Sequence, residues 1–235
     1  MRSSDDGSAE YRQYRFSLPP GASDILLIRH GESQPARPGV AFPMTDGQAD
    51  PPLDPRGEQE AARVADRLAD QHLDAIYVTT LQRTAQTAGP LARRLGLEPV
   101  VEPDLREVHL GDWEGPTFRV NVSEGHPLAQ QLFAEQRWDV IPGAESMDAL
   151  HARVRRGLER IAAKHPDRRV AVFTHGGVIG TVAALATGGQ PFAFLGADNG
   201  SITHLVVMDD RWVLRRFNDT GHLPTDFDEP PDPLT

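Results

Sequence analysis

Two apolar runs end in the same way, and that ending constrains this chain more than any other feature. Asp24-Ile25-Leu26-Leu27-Ile28 stops at Arg29-His30-Gly31, and Val170-Ala171-Val172-Phe173-Thr174 stops at His175-Gly176-Gly177. Short runs this apolar, closed by glycine, read as strands buried on both faces of a sheet. In open α/β sheets, ligands gather beyond the carboxyl ends of the strands. Two such ends, carrying His30 and His175, point to two imidazoles brought together over one anion.

The rest of the chain alternates helix and strand patterns around those runs. Residues 55–71 read as a helix with Ala61, Val64, Ala65 and Leu68 on one face, Asp54 at its N-cap and Pro55 in its first turn. A strand over 75–79 and a helix over 81–95 follow, the helix with a bend or break at Gly89-Pro90. Residues 100–110 read as extended. Residues 115–143 are less regular, helical around 128–137, and are the candidate cap over a site. Ser146 caps an amphipathic helix with Leu150, Val154, Leu158 and Ile161 at helical spacing. A helix opened by Gly176 runs through 186, and 202–208 and 212–217 form a hairpin. The alternation predicts an α/β fold, a three-layer α/β/α sandwich with a mainly parallel sheet. One domain is expected over 23–221, with the cap inserted at about 115–143. Residues 1–22 read as a flexible or loosely docked arm, and 222–235 as an acidic, proline-rich tail.

Composition removes several function classes. A net charge of −10 argues against a nucleic-acid footprint and confines any anion site to a local concentration of arginine and histidine. With no cysteine, disulfides, thiolate catalysis and cysteine-based metal sites are excluded. No apolar run approaches the ~20 residues a membrane-spanning helix needs, and the first residues lack a signal-peptide pattern. The expectation is a cytoplasmic protein with neither a membrane nor a nucleic-acid partner, and no pattern sets an oligomeric state.

Four segments carry the chemistry. Arg29 and His30 follow the first strand, Arg83 sits on the first turn of the 81–95 helix, Glu107 lies in Leu105-Arg106-Glu107, and His175 opens a helix. Helix N-termini offer free N–H groups and partial positive charge to a phosphate, and arginines offer forked, permanently charged donors. These residues resemble the histidine phosphatase superfamily, the phosphoglycerate mutase-like proteins, from about residue 24 to 204. The motifs stand in family order: Arg29-His30-Gly31-Glu32-Ser33, Leu53-Asp54-Pro55-Arg56-Gly57, Leu81-Gln82-Arg83-Thr84-Ala85, Leu105-Arg106-Glu107 with Trp113-Glu114-Gly115, and Thr174-His175-Gly176-Gly177.

The resemblance implies a phosphoglycerate mutase-like fold and a phosphatase of the cofactor-independent branch, without a metal, acting on a small phosphorylated molecule. It makes His30 the nucleophile that becomes phosphohistidine, and Glu107 the general acid and then the base. Arg29, Arg83 and His175 would hold the phosphate oxygens, with Ser33, Arg37 and Gly176 as further substrate-binding residues.

The sequence also departs from the family pattern. Ala36 stands where mutase relatives carry an asparagine, with Ser33 and Arg37 as the substitutes at hand. The basic residues by which mutases grip a substrate carboxylate have no clear counterpart, so hydrolysis is favoured over return of the phosphoryl group. A phosphoglycerate mutase-type transferase and a non-catalytic phosphoester-binding module are the alternatives. Arg37, Arg119 and Arg137 become substrate contacts where folding brings them over the pocket. Trp113 and Glu114 read as packing and support, His109 as a rim residue, Asn199 as a turn former, and Asp46, Asp50 and Asp54 as loop and cap residues.

Overall fold

The computed structural model describes residues 13, 16–37, 39–209 and 211–224. In chain order the elements begin with β1 (Ser23–Arg29), a small hairpin of β2 (Met44–Thr45) and β3 (Gln48–Ala49), and α1 (Pro55–Leu68). Then come β4 (Ala75–Val78), α2 (Gln82–Leu95), β5 (Val100–Val101), α3 (Thr117–Ser123) and α4 (Pro127–Glu135). The chain closes with α5 (Met147–Lys164), β6 (Arg169–Thr174), α6 (Gly176–Thr187), β7 (Ile202–Val207) and β8 (Trp212–Asp219). The main sheet has the order β5-β4-β6-β1-β7-β8. Its first four strands run parallel, while β7 is antiparallel to β1 and to β8. The expected three-layer sandwich is therefore present, with an antiparallel hairpin closing one edge.

Alternation along β1 explains the layers. Ile25 and Leu27 pack with Val154, Leu158 and Ile161 of α5 and Val178 and Val182 of α6. Leu26 and Ile28 pack instead with Val64 and Leu68 of α1 and Ala88 and Leu91 of α2. Successive side chains of a strand point to opposite faces, so a run apolar at every position needs helices on both. At its other end β1 meets β6 in register, Arg29 beside Thr174, and the His30 amide donates to the Thr174 carbonyl (3.0 Å). That pairing sets His30 and His175 side by side.

Several expectations need correction. Helix α2 runs unbroken through Pro90. The carbonyl that Pro90 leaves without an N–H belongs to Gln86, on the exposed side of the helix, where water can take its place. The extended reading of 100–110 holds only for Val100–Val101, because Pro103 brings no N–H to the sheet and opens a 3-10 turn, Pro103–Leu105, that the Glu102 side chain caps. Residues 115–143 hold two short helices, α3 and α4, where one was expected. They are anchored by aromatics: Phe118, Leu132 and Trp138 join the core beside α5 and α6, and the Trp138 ring lies 4.9 Å from that of Phe192. Much of the expected N-terminal arm and acidic tail lies outside the described residues. Within them, Phe16 packs under the Arg215 guanidinium, Ala22 is buried, and His222 Nε2 bonds the Gly200 carbonyl. Among the described residues no helix is long and apolar enough to cross a membrane.

Candidate active site

His30 is fixed from both sides of its ring. Nδ1 lies 2.7 Å from the Gly31 carbonyl, and Arg83 Nε donates to Nε2 at 3.1 Å. A carbonyl only accepts and a guanidinium only donates. The proton therefore sits on Nδ1, and Nε2 keeps its lone pair. Behind the ring, Asn199 Nδ2 donates to the His30 carbonyl (2.9 Å), so the expected turn former at 199 also grips the strand end.

Arg83 is delivered by the first turn of α2. Its Nη1 donates to the Ala49 carbonyl at 3.0 Å and lies 3.9 Å from Asp50 Oδ1. Asp50 accepts from the Gln82 amide (2.8 Å), capping a helix whose own N-cap, Leu81, has no side-chain acceptor. Thr87 ties this helix to the His30 turn by accepting from the Gly31 amide (3.0 Å). Arg29 donates to the Ala197 carbonyl (2.5 Å), and Gly176 lets it lie close, since a Cβ there would stand 3.3 Å from Arg29 Nε.

His175 is fully buried, with its ring centroid 5.2 Å from that of His30. Its Nε2 is 2.9 Å from Thr79 Oγ1, while Nδ1 has no hydrogen-bond partner among the described residues. Glu107 reaches the same cluster from the loop after β5. Its Oε1 accepts from the Val108 amide (2.9 Å) and its Oε2 from the Gly177 amide (3.2 Å), in the first turn of α6. A Cβ at 177 would lie 2.6 Å from Glu107 Oε1, so a side chain there would push the carboxylate out of this place.

Charge and burial compete at these groups. Burial, reinforced by the Arg83 and Arg29 charges, holds His30 well below the ordinary imidazole range, against the smaller pull of its bond to Gly31. Burial likewise depresses His175, with Arg83 and His30 adding to it. Burial takes Arg83 down to about 10 in spite of Glu107 and Asp50, so it stays cationic at neutral pH. Both rings are thus neutral in the folded chain, whereas unfolded imidazoles titrate near ~6.5. Below that value the unfolded chain binds protons that the folded chain refuses. The contribution to stability is full above ~6.5 and is lost as the pH falls toward the depressed folded values. We expect the urea midpoint to fall between about pH 7 and pH 5, and to fall less steeply in His175→Asn. Equal slopes in the two proteins would contradict this.

The remaining candidates are placed as follows. Ser33 is buried, and its hydroxyl accepts from Arg119 Nη2 (2.7 Å), while Arg119 Nη1 donates to the Gln34 carbonyl (2.9 Å). Arg119 lies on α3 and stands over the Phe42 ring; its charge acts on His30 and Arg83, and the Arg29 charge acts on it. Arg37 stays exposed, so the cation that arrives beside Ser33 and Gln34 is Arg119. Arg137 is held on the surface by Asp139 (2.8 Å). Glu114 supports the β2–β3 hairpin by accepting from the Ala49 amide, and Trp113 is buried in the core. His109 Nδ1 accepts from the Gly111 amide. Sequence reasoning missed Thr79, Gln48 and Arg153, which bond His175 or the Glu107 backbone. Their partners lie 46 to 96 residues away, so no local pattern marks them.

Two neutral imidazoles, two guanidiniums and a carboxylate stand close together here, a donor set suited to a phosphate. The sequence matches the histidine phosphatase superfamily (branch 1) over residues 25–220. It is 36% identical over 208 residues to phosphoglycerate mutase-like protein 4 of Arabidopsis thaliana, covering 86% of this chain and 87% of the relative. It is 33% identical to the metal-independent phosphoserine phosphatase of the same plant, over 86% and 83% of the two chains. Among solved structures, mycobacterial glucosyl-3-phosphoglycerate phosphatase superposes with a TM-score of 0.70 at 29% identity, covering 85% of this chain and all of that one. The chain belongs to the histidine phosphatase superfamily. It is a phosphoric monoester hydrolase of the phosphoglycerate mutase-like fold.

Proposed function

We propose that this protein hydrolyses a small-molecule phosphomonoester in two displacements, through a phosphohistidine on His30. The observation that carries the reading is the tautomer: Nε2 accepts from Arg83 while Nδ1 is held at the Gly31 carbonyl. In the first step the Nε2 lone pair forms the P–N bond as the bond from phosphorus to the leaving oxygen breaks, and Glu107, entering as the acid, protonates that oxygen. Arg29, Arg83 and the Nδ1–H of His175 take the non-bridging oxygens as the loose transition state spreads its charge over them. For His175 to donate from Nδ1, Thr79 must donate to its Nε2, which the 2.9 Å contact allows. In the second step Glu107, now the carboxylate, takes a proton from water, whose oxygen attacks phosphorus. The P–N bond breaks and its electron pair returns to Nε2.

Ser33, Gly176 and Arg119 complete the substrate contacts in this reading. Ser33 orients Arg119 and Gly176 leaves room for Arg29, while Arg37 is exposed and enters the set as a contact for the part of the substrate that faces solvent. The test is a panel of phosphorylated metabolites that begins with phosphoserine and 3-phosphoglycerate. The account expects inorganic phosphate to appear at the rate at which substrate disappears. Conversion of 3-phosphoglycerate to its 2-isomer without phosphate release would identify a mutase instead. Tight binding of a phosphoester without turnover would identify a binding module.

A further inference from the structure

The geometry points to Arg153 as the positioning residue of Glu107: one guanidinium that sets the general acid against the leaving group. This inference rests on the acid role just proposed. Glu107 lies in a stretch that has left the sheet at Val101 and joins neither a strand nor an α-helix, so its backbone carbonyls need partners from elsewhere. Arg153, on the second turn of α5, supplies them. Its Nη1 donates to the carbonyls of Asp104 (2.8 Å) and Arg106 (2.6 Å), and its Nη2 to that of Glu107 (3.0 Å). The remaining two N–H groups, on Nε and Nη2, go to the two oxygens of Glu145 at 2.7 and 2.8 Å.

All five donors of the guanidinium are thereby used, each on a different acceptor atom. The Arg153 and Glu145 side chains are each 14% exposed, so solvent does little to weaken this pair. Glu145 is itself tied to the same loop, since its amide donates to the His109 carbonyl (2.9 Å). Gln48 adds a second clasp on the Glu107 carbonyl (2.8 Å). Among the described residues the carboxylate itself accepts from the Val108 and Gly177 amides. Its place relative to His30 therefore depends on where the backbone of 104–107 is fixed, and Arg153 holds three of its four carbonyls, with Thr174 Oγ1 donating to the fourth, that of Leu105 (2.8 Å). Lysine, with three donors from one point, can serve only part of that set.

A general acid that is out of place slows departure of a poor leaving group far more than departure of a good one. The experiment measures kcat/KM, which reports the first displacement, on p-nitrophenyl phosphate and on an alkyl phosphate, for wild type, Arg153→Lys, Glu145→Gln and Glu107→Gln. We expect Arg153→Lys to lose ~10–100-fold on the alkyl ester and less than ~3-fold on the nitrophenyl ester, with Glu145→Gln biased the same way to a smaller degree. Glu107→Gln shows the same bias at full size. Equal losses on the two esters, or no loss, in both Arg153→Lys and Glu145→Gln while Glu107→Gln stays biased would overturn the positioning role alone. An unbiased Glu107→Gln would remove the acid role itself, and the inference with it.

Discussion

Replacing His30 with alanine lowers kcat on every phosphomonoester the wild-type protein hydrolyses by at least ~10⁴-fold, the scale of removing a covalent nucleophile. The size follows from the absence of a stand-in among the neighbours. His175 is the other ring in the cluster, but it is completely buried, and in the proposed tautomer Thr79 holds its Nε2 while its Nδ1 carries the proton. Arg83 and Arg29 remain cationic and can bind phosphate, but they have no lone pair to attack with. The alanine variant should therefore still bind inorganic phosphate while failing to turn over ester. Steady-state kinetics beside phosphate binding checks both halves. Activity within tenfold of wild type would remove His30 from the role.

The second large effect is structural and reaches the same turn. Gly57→Ala should cost ~3 kcal/mol, the upper end for forced overpacking. That lowers the thermal midpoint by ~6–12 °C in a chain of this size. Asp54 caps α1 by accepting from the Arg56 and Gly57 amides (2.8 and 2.9 Å), so the first turn of the helix is pinned in place. A Cβ on Gly57 would then stand 2.1 Å from the Glu32 carbonyl oxygen. Both partners are backbone, so neither can rotate away. Gly31 meets Gly57 across the same gap, where its own added Cβ would lie 2.5 Å from the Gly57 carbonyl oxygen. Relief must come from moving the segment that holds His30, so activity should fall along with stability. A thermal melt and an assay on one preparation test this. An unchanged midpoint would mean that the two turns are not packed as described.

Much of this was readable in the sequence, for identifiable reasons. The His-Gly endings at 30 and 175 mark strand termini because an apolar run cannot continue through them. The cap at Asp54 and the placement of Arg83 on a first turn are local signals, written within a few residues. Arg119 was a conditional candidate, and it reaches Ser33 and Gln34 from a segment that Phe118 and Trp138 anchor against the core. What stayed hidden is the scaffolding around Glu107 and His175. Arg153 looks like an ordinary cation on a solvated helix face until the loop 46 residues earlier is folded against it. Gln48 and Thr79 are similar: a side chain bonding a distant partner leaves no periodicity behind. The expected bend or break at Gly89-Pro90 was misplaced for a different reason, since proline's preference was overruled by an exposed carbonyl and good packing on the opposite face.

The most direct measurement is chemical trapping of the enzyme during turnover. The protein is mixed with a phosphomonoester, quenched in alkali within a fraction of the turnover time, digested and mapped. We expect phosphate on the peptide containing His30, stable in base, lost in mild acid, and absent from His30→Ala. A chain that turns over substrate yet carries its phosphate on another residue, or carries none in wild type and Glu107→Gln alike, would contradict the account.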